Sequence, residues 1–264
     1  MPTVAANGIE QHYDIQGEGP PLLLVAGMGG TANYWAEQVE MFARSHTVIT
    51  YDQRGTGRST HAPVASIEQL RDDLLALLDA LGFDTVDYLG HSTGGNIGQI
   101  VAIENPERLR RLVIYASTTH GDAYRTKVWR VRRSILETQG AELYGDMTSL
   151  MLYPPRWIAE NAERLEAQQK VQAAMLAPAP VMASRIEAVQ AFDRRAGLSR
   201  IATPVLVVCA RDDQQTPFYF SEALAAAIPG AELAAIDYGG HACSRTVPEV
   251  FNPLVLDFFH RETQ

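Results

Sequence analysis

Cysteine is nearly missing from this chain, with Cys209 and Cys243 the only two in 264 residues. That supply excludes a disulfide framework. The first residues show no basic-then-apolar signal pattern, so the expectation is two reduced thiols in a cytoplasmic protein. Long apolar runs are lacking too. None approaches the roughly 20 residues that a membrane-spanning helix needs, so no membrane partner is expected. Positive charge is short, with 22 Lys and Arg against 31 Asp and Glu, a net of −9. A surface of that sign repels phosphate backbones and anionic lipids, which excludes nucleic acid as a partner class. Internal repeats and low-complexity tracts are also absent. What remains is a globular composition, 46% hydrophobic and 20% charged, long enough for one α/β domain with an insertion. A homodimer stays open.

The hydrophobic pattern alternates between strands and helices. Gly8 to Asp14 alternates as a strand, and Pro21 to Ala26 is a continuous apolar run suited to a strand covered on both faces. Thr47 to Tyr51 is a strand. Ser66-Ile67-Glu68-Gln69 opens a helix with a capping box, and Leu70, Leu74, Leu77, Leu78 and Leu81 recur at helical spacing before Gly82. Further strands are expected at Thr85 to Leu89, Leu109 to Ala116, Thr203 to Ala210 and Ala231 to Asp237, with a final helix over Val247 to Arg261. Alternation of this kind indicates α/β architecture with a mostly parallel sheet. Between Thr118 and Arg200 the rhythm breaks. That segment is rich in Ala, Glu, Arg and Leu and carries no convincing strand, so residues 118–200 are expected as a helical cap, with 1–117 and 201–264 forming the core.

Gly90-His91-Ser92-Thr93-Gly94-Gly95 lies where the strand Thr85 to Leu89 gives way to a buried helix ending near Asn105-Pro106. A G-x-S-x-G frame in that setting lifts the serine hydroxyl above the sheet edge on a sharp turn. A hydroxyl is a weak nucleophile until a base takes its proton, and an imidazole does so best when a carboxylate holds its tautomer. The partners should follow in the order acid, then His, at later strand ends. Arg211-Asp212-Asp213 follows one strand, and Gly239-Gly240-His241 follows the last. His241 is therefore the expected base, presented as a mobile, exposed imidazole; Asp212 and Asp213 are both open as the acid. His91 is read as packing under the turn, and Cys243 as a neighbour of a pocket. Backbone donors for an oxyanion are expected from Thr93 N–H and from Met28 N–H in the loop Ala26-Gly27-Met28-Gly29-Gly30.

These residues resemble the α/β-hydrolase fold family over essentially the whole chain. Tyr51-Asp52-Gln53-Arg54-Gly55-Thr56-Gly57-Arg58-Ser59 is similar to the family's D-x-R-G-x-G-x-S loop, and Asn105-Pro106-Glu107-Arg108 to its P-E-R turn. The resemblance implies a mostly parallel eight-stranded sheet flanked by helices, with the cap inserted after the strand that follows the nucleophile helix. It also selects Asp213, four residues before Pro217, as the acid. One departure is Ala26-Gly27, where many members have His-Gly. Two branches look nearest. Enol-lactone hydrolases share the start, the length and a helical cap. Aminoacrylate hydrolases of pyrimidine breakdown resemble Tyr51 to Gly57, Leu152 to Trp157 and Tyr238 to Cys243. Branches with an aspartate nucleophile do not fit Ser92, and those with Trp after the His do not fit Ala242.

The implied activity is cofactor-free hydrolysis of a small ester, lactone or amide-like C–N substrate through an acyl-enzyme. Alternatives are a ligand receptor of the same fold with slow or single turnover, and a cofactor-free perhydrolase. Arg125, Lys127, Arg130, Arg132 and Arg133 cluster at the start of the cap, either to bind a substrate carboxylate or as a solvated helix face. Gly27, Trp129, Arg130, Tyr153 and Trp157 are the candidates for substrate contact. The aromatic ones could equally pack the cap onto the core.

Overall fold

The computed structural model describes residues 2–261. Strands β1 (Thr3–Ala6) and β2 (Ile9–Gln16) pair antiparallel across Asn7-Gly8, where both residues take positive φ, 48° and 74°. Asn-Gly suits that tight turn because both residues tolerate the left-handed region. There follow β3 (Pro21–Val25), α1 (Ala36–Phe42), β4 (Thr47–Tyr51), α2 (Ile67–Leu81), β5 (Val86–His91), α3 (Thr93–Glu104) and β6 (Leu109–Tyr115). Five helices come next: α4 (Ala123–Gln139), α5 (Ala141–Leu152), α6 (Pro155–Glu160), α7 (Ala162–Ala174) and α8 (Ala179–Ala191). The chain then returns through β7 (Val205–Ala210), α9 (Tyr219–Ala227), β8 (Glu232–Ile236), α10 (Cys243–Thr246) and α11 (Pro248–His260).

The eight strands form one sheet in the order β1-β2-β4-β3-β5-β6-β7-β8, parallel from β4 to β8. The expected mostly parallel eight-stranded sheet is what the chain forms. Its apolar run explains the burial. Leu23 and Val25 face one core cluster while Leu22 and Leu24 face the other, as a strand covered on both sides requires. The register pairs Val25 with Gly90, His91 with Tyr115, Tyr115 with Val208, and Ala210 with Ile236. The carboxyl ends of β3, β5, β7 and β8 therefore lie along one edge, where ligands of open α/β sheets bind.

Helix α2 starts as its sequence requires, with Ser66 Oγ accepting from Gln69 N–H at 3.3 Å. Gln69 Oε1 reaches back to Ala65 N–H at 2.8 Å, one residue before the cap. The five helices leave and rejoin the core at one place. His120 bridges Asp193, and Arg194 N–H donates to Thr119 C=O at 3.0 Å. None of the described helices is long and apolar enough to cross a membrane.

Candidate active site

Ser92 takes φ 52° and ψ −112°, between the end of β5 and the first turn of α3. A non-glycine residue there carries strain on the order of 1–3 kcal/mol and persists only where its surroundings fix it. Three hydrogen bonds do so. Ser92 N–H donates to Tyr115 C=O at 2.8 Å, while Ser92 C=O accepts from Ser117 Oγ at 2.7 Å and Asn96 N–H at 3.2 Å. The flanking glycines are obligatory. A Cβ at Gly90 would lie 2.5 Å from Gly94 C=O, and one at Gly94 would overlap Val25 C=O.

His241 follows β8, and its Nδ1 lies 2.8 Å from Asp213 Oδ2. The other oxygen, Asp213 Oδ1, accepts from the N–H groups of Gln215 and Thr216, each at 2.8 Å. Thr216 Oγ1 sits 2.8 Å from Oδ2. Between the two candidate acids the structure brings Asp213 to the imidazole. Asp212 Oδ1 instead accepts from Gly239 and Gly240 N–H at 3.0 and 2.8 Å, closing the turn before His241.

The expectation of a mobile, exposed imidazole is corrected: His241 is 2% exposed. Its carbonyl accepts from Tyr115 Oη at 2.9 Å and from His91 Nε2 at 3.0 Å, and the next residue, Ala242, donates to Leu152 C=O at 3.0 Å. The two glycines supply positive φ for a fixed turn rather than mobility. His91 packs as expected, stacked on Tyr34 with centroids 4.5 Å apart. Burial, reinforced by nearby His241 and Arg245, lowers its pKa well below the usual imidazole value.

Thr93 opens α3, so its N–H lies in the first turn, where a helix offers no acceptor of its own. Opposite runs the loop after β3. A Cβ on Gly27 would lie 3.1 Å from Ser92 Cβ, so the loop backbone passes directly beside the serine. Gly27, Met28, Trp129, Arg132, Ser92 and His241 share the wall of one cavity of about 1390 Å³.

Three of the expected substrate contacts lie elsewhere. Arg130 is exposed on α4 and does not line the cavity; Arg132 does. Helical phase is the reason, since Arg125, Trp129 and Arg132 share the inner stripe and Arg130 sits well round the barrel. Tyr153 and Trp157 stack on each other with centroids 4.5 Å apart and pack with Leu165 and Ala242, bracing the His241 turn instead of lining the cavity. Tyr153 Oη accepts from Arg245 at 2.8 Å. Cys243 is not part of this cavity's wall either; it is fully buried, and burial pushes its thiol up to about 12.

Some positioning groups were not singled out in the sequence. Tyr115 and Thr216 hold the two ends of the His241–Asp213 pair. The signal for Tyr115 was its place at the carboxyl end of a buried strand. Asp52, in the glycine-rich loop after β4, accepts from Ala32 N–H at 2.7 Å and Arg58 N–H at 2.9 Å. Arg54 pairs with buried Asp73 through two contacts of 2.7 Å. That loop is a brace between β2, β3 and α2.

A profile of the alpha/beta hydrolase fold family matches residues 20–137. The provisionally named carbamate hydrolase RutD of Azorhizobium caulinodans is 41% identical to this chain, covering 98% of each. Its counterpart from Pseudomonas savastanoi pv. phaseolicola is 36% identical, covering 96% of this chain and 99% of the other. Among solved structures, the enol-lactonase from Burkholderia xenovorans LB400 matches with a TM-score of 0.92 and 28% identity, covering 98% of this chain and 100% of that one. The chain belongs to the α/β-hydrolase fold family. Within it, the similarity to RutD and to enol-lactonase marks this chain as a hydrolase.

Proposed function

We propose that this hydrolase cleaves a small carboxylic ester, lactone or C–N acyl substrate through an acyl-enzyme, with Ser92 as nucleophile, His241 as base and Asp213 as the orienting acid. The observation that carries this reading is the 2.8 Å Asp213–His241 contact behind a cavity wall that His241 shares with Ser92. With Nδ1–H donated to Asp213, the lone pair of Nε2 takes the serine proton as Oγ attacks the carbonyl carbon. The oxyanion receives hydrogen bonds from the Met28 and Thr93 N–H groups. Each such donor contributes about 3–4 kcal/mol of transition-state stabilisation. His241 then protonates the leaving oxygen or nitrogen as that bond breaks. Water, deprotonated by His241, releases the acyl group as an acid and restores the serine. The steps draw on side chains, backbone donors and water alone.

Residues 118–200 act as a cap that sets substrate choice over the remaining core. The naming of its relatives as carbamate hydrolases supports carbamates among the C–N substrates, and the enol-lactonase likeness supports lactones. Arg132, buried in the cavity wall without a carboxylate within 4 Å among the described residues, favours a substrate that carries an anionic group. The test is hydrolysis across small esters, lactones, enamides and carbamates, with Ser92→Ala as the blank. Multiple turnovers by the wild type and none by Ser92→Ala are expected. Hydrolysis surviving in Ser92→Ala rejects the mechanism, and a stoichiometric burst without a steady state replaces it with the receptor reading.

A further inference from the structure

Three successive carbonyls in the loop after β3 are tied down. Gln53 Nε2 donates to Ala26 C=O at 2.6 Å, Gly30 N–H to Gly27 C=O at 3.1 Å, and Arg185 Nε to Met28 C=O at 2.9 Å. A trans peptide is planar, with C=O and N–H pointing in opposite directions, so fixing one carbonyl aims the N–H of the next residue. The Gly30 contact thereby aims Met28 N–H. The two peptides on either side are held by Gln53 and Arg185, and these two side chains are joined, Arg185 Nη2 to Gln53 Oε1 at 2.8 Å.

Arg185 comes from α8, among the five helices between β6 and β7. It is 1% exposed, and its remaining bond goes to Arg54 C=O at 2.5 Å. All three acceptors are neutral, and no carboxylate lies within 4 Å of it among the described residues. Burial lowers its pKa to about 10. A guanidinium desolvated without a counter-ion is a costly way to attach a helix. What it supplies is a rigid fork that reaches three backbone and side-chain oxygens at once.

We propose that Arg185 is a positioning residue: by holding the peptides on either side of the one that carries Met28 N–H, through Met28 C=O directly and Ala26 C=O by way of Gln53, it steadies that donor and makes it depend on the docking of α8. The inference rests on the reading of Met28 N–H as an oxyanion donor. A bolt that merely attached the cap would affect stability alone. Arg185 instead lands on the peptide next to the donor, so its loss should be felt where charge develops on the substrate oxygen.

The experiment compares wild type, Arg185→Met and Arg185→Lys on one hydrolysed ester, well below each protein's Tm. For Arg185→Met, kcat should fall roughly 10- to 100-fold with KM within about threefold. Inhibition by butylboronic acid, whose tetrahedral adduct occupies the same donors, should weaken in the same proportion. Arg185→Lys, which keeps the charge without the fork, should fall between the two and keeps the test usable if the Met variant does not fold. A lowered Tm with kcat and boronate inhibition unchanged in the folded Lys variant overturns the proposal. Hydrolysis surviving in Ser92→Ala would instead remove the underlying reading, so the two failures are separable.

Discussion

Arg132 Nη1 donates to Gln215 Oε1 at 3.1 Å, and the N–H of Gln215 donates to Asp213 Oδ1 at 2.8 Å. A cavity-wall guanidinium thus stands one residue from the carboxylate that holds His241. Its other partners, Tyr144 Oη at 3.2 Å and Thr148 Oγ1 at 2.9 Å, are neutral, and its Cζ lies 4.7 Å from the Trp129 ring centroid. Of the acidic residues that line the same cavity, Glu40, Glu142, Asp146 and Glu166 are exposed, Asp14 is half-buried, and buried Asp52 already accepts from Ala32 and Arg58 N–H. A substrate carboxylate would give the buried charge the partner the fold omits. Arg132→Gln should raise KM for monoethyl succinate roughly 10- to 100-fold and leave diethyl succinate nearly unchanged, since a charged hydrogen bond contributes about 1.5–3 kcal/mol. Equal losses on both esters would make Arg132 a structural residue.

Asp212 and Asp213 are neighbours in sequence with different duties, and substitution should separate them. Asp213→Asn removes the group that holds the imidazole tautomer and should cost about 10⁴ in kcat. Asp212→Asn keeps a side-chain oxygen that can still accept from Gly239 and Gly240, so its loss should stay within about tenfold. Ser92→Ala should lose on the order of 10⁶. Steady-state kinetics on one chromogenic ester measures all three, and the reverse ranking of the two aspartates would move the acid to Asp212.

The sharp turn at Ser92 should tolerate no side chain at Gly94. A methyl group there overlaps Val25 C=O, a backbone atom of a fully paired strand that cannot move aside. Gly94→Ala should destabilise the protein by about 3 kcal/mol or more. Gly82→Ala, at the end of α2, is the control. Its φ is 77° but nothing lies within 4 Å of the added carbon, so the cost should stay near 1 kcal/mol. Urea unfolding of both variants checks the difference, and similar midpoints would remove steric closure as the reason for this glycine.

Much of the sheet was legible because its signal is local. A continuous apolar run such as Leu22 to Val25 has few uses outside a strand covered on both faces, and the Ser66 cap and Gly82 stop bracket α2. A serine, an acid and a histidine at successive strand ends were legible in Ser92, the Asp212-Asp213 pair and His241, while Asp213 over Asp212 followed only from the family resemblance. Which face of α4 turns inward was not legible. Basic residues crowd α4 from Arg125 to Arg133, and only the packing of α5 and α8 against it decides that Arg132, not Arg130, turns inward. The aromatic pair Tyr153 and Trp157 suited a cavity roof and a brace equally well; contact with Ala242 settles it as a brace. Glycines before a histidine suggest freedom in the sequence, whereas Asp212 uses Gly239 and Gly240 to build a fixed turn. Arg185 did leave a trace, as a charge on the stripe of Met182, Ile186 and Val189, all buried.

His91 makes stability depend on pH below neutrality. It is buried between Tyr34, Tyr115 and His241, with ring centroids 4.5, 4.7 and 4.6 Å away. Burial, reinforced by neighbouring His241 and Arg245, lowers its pKa well below the usual imidazole value of about 6.5. The unfolded chain takes up a proton near 6.5 that the folded chain refuses, so the unfolded state binds more protons as pH falls through that value. The stabilising contribution is therefore complete above about pH 7 and is lost progressively below 6.5, at up to about 1.4 kcal/mol per pH unit from this one group. Urea unfolding between pH 7.5 and 5.0 should show midpoints falling with pH, and His91→Asn should remove up to one proton from the slope. An unchanged slope in His91→Asn would mean that His91 accepts its proton without unfolding the site, and the Tyr34–His91–His241 stack would then have to open in acid while the fold persists.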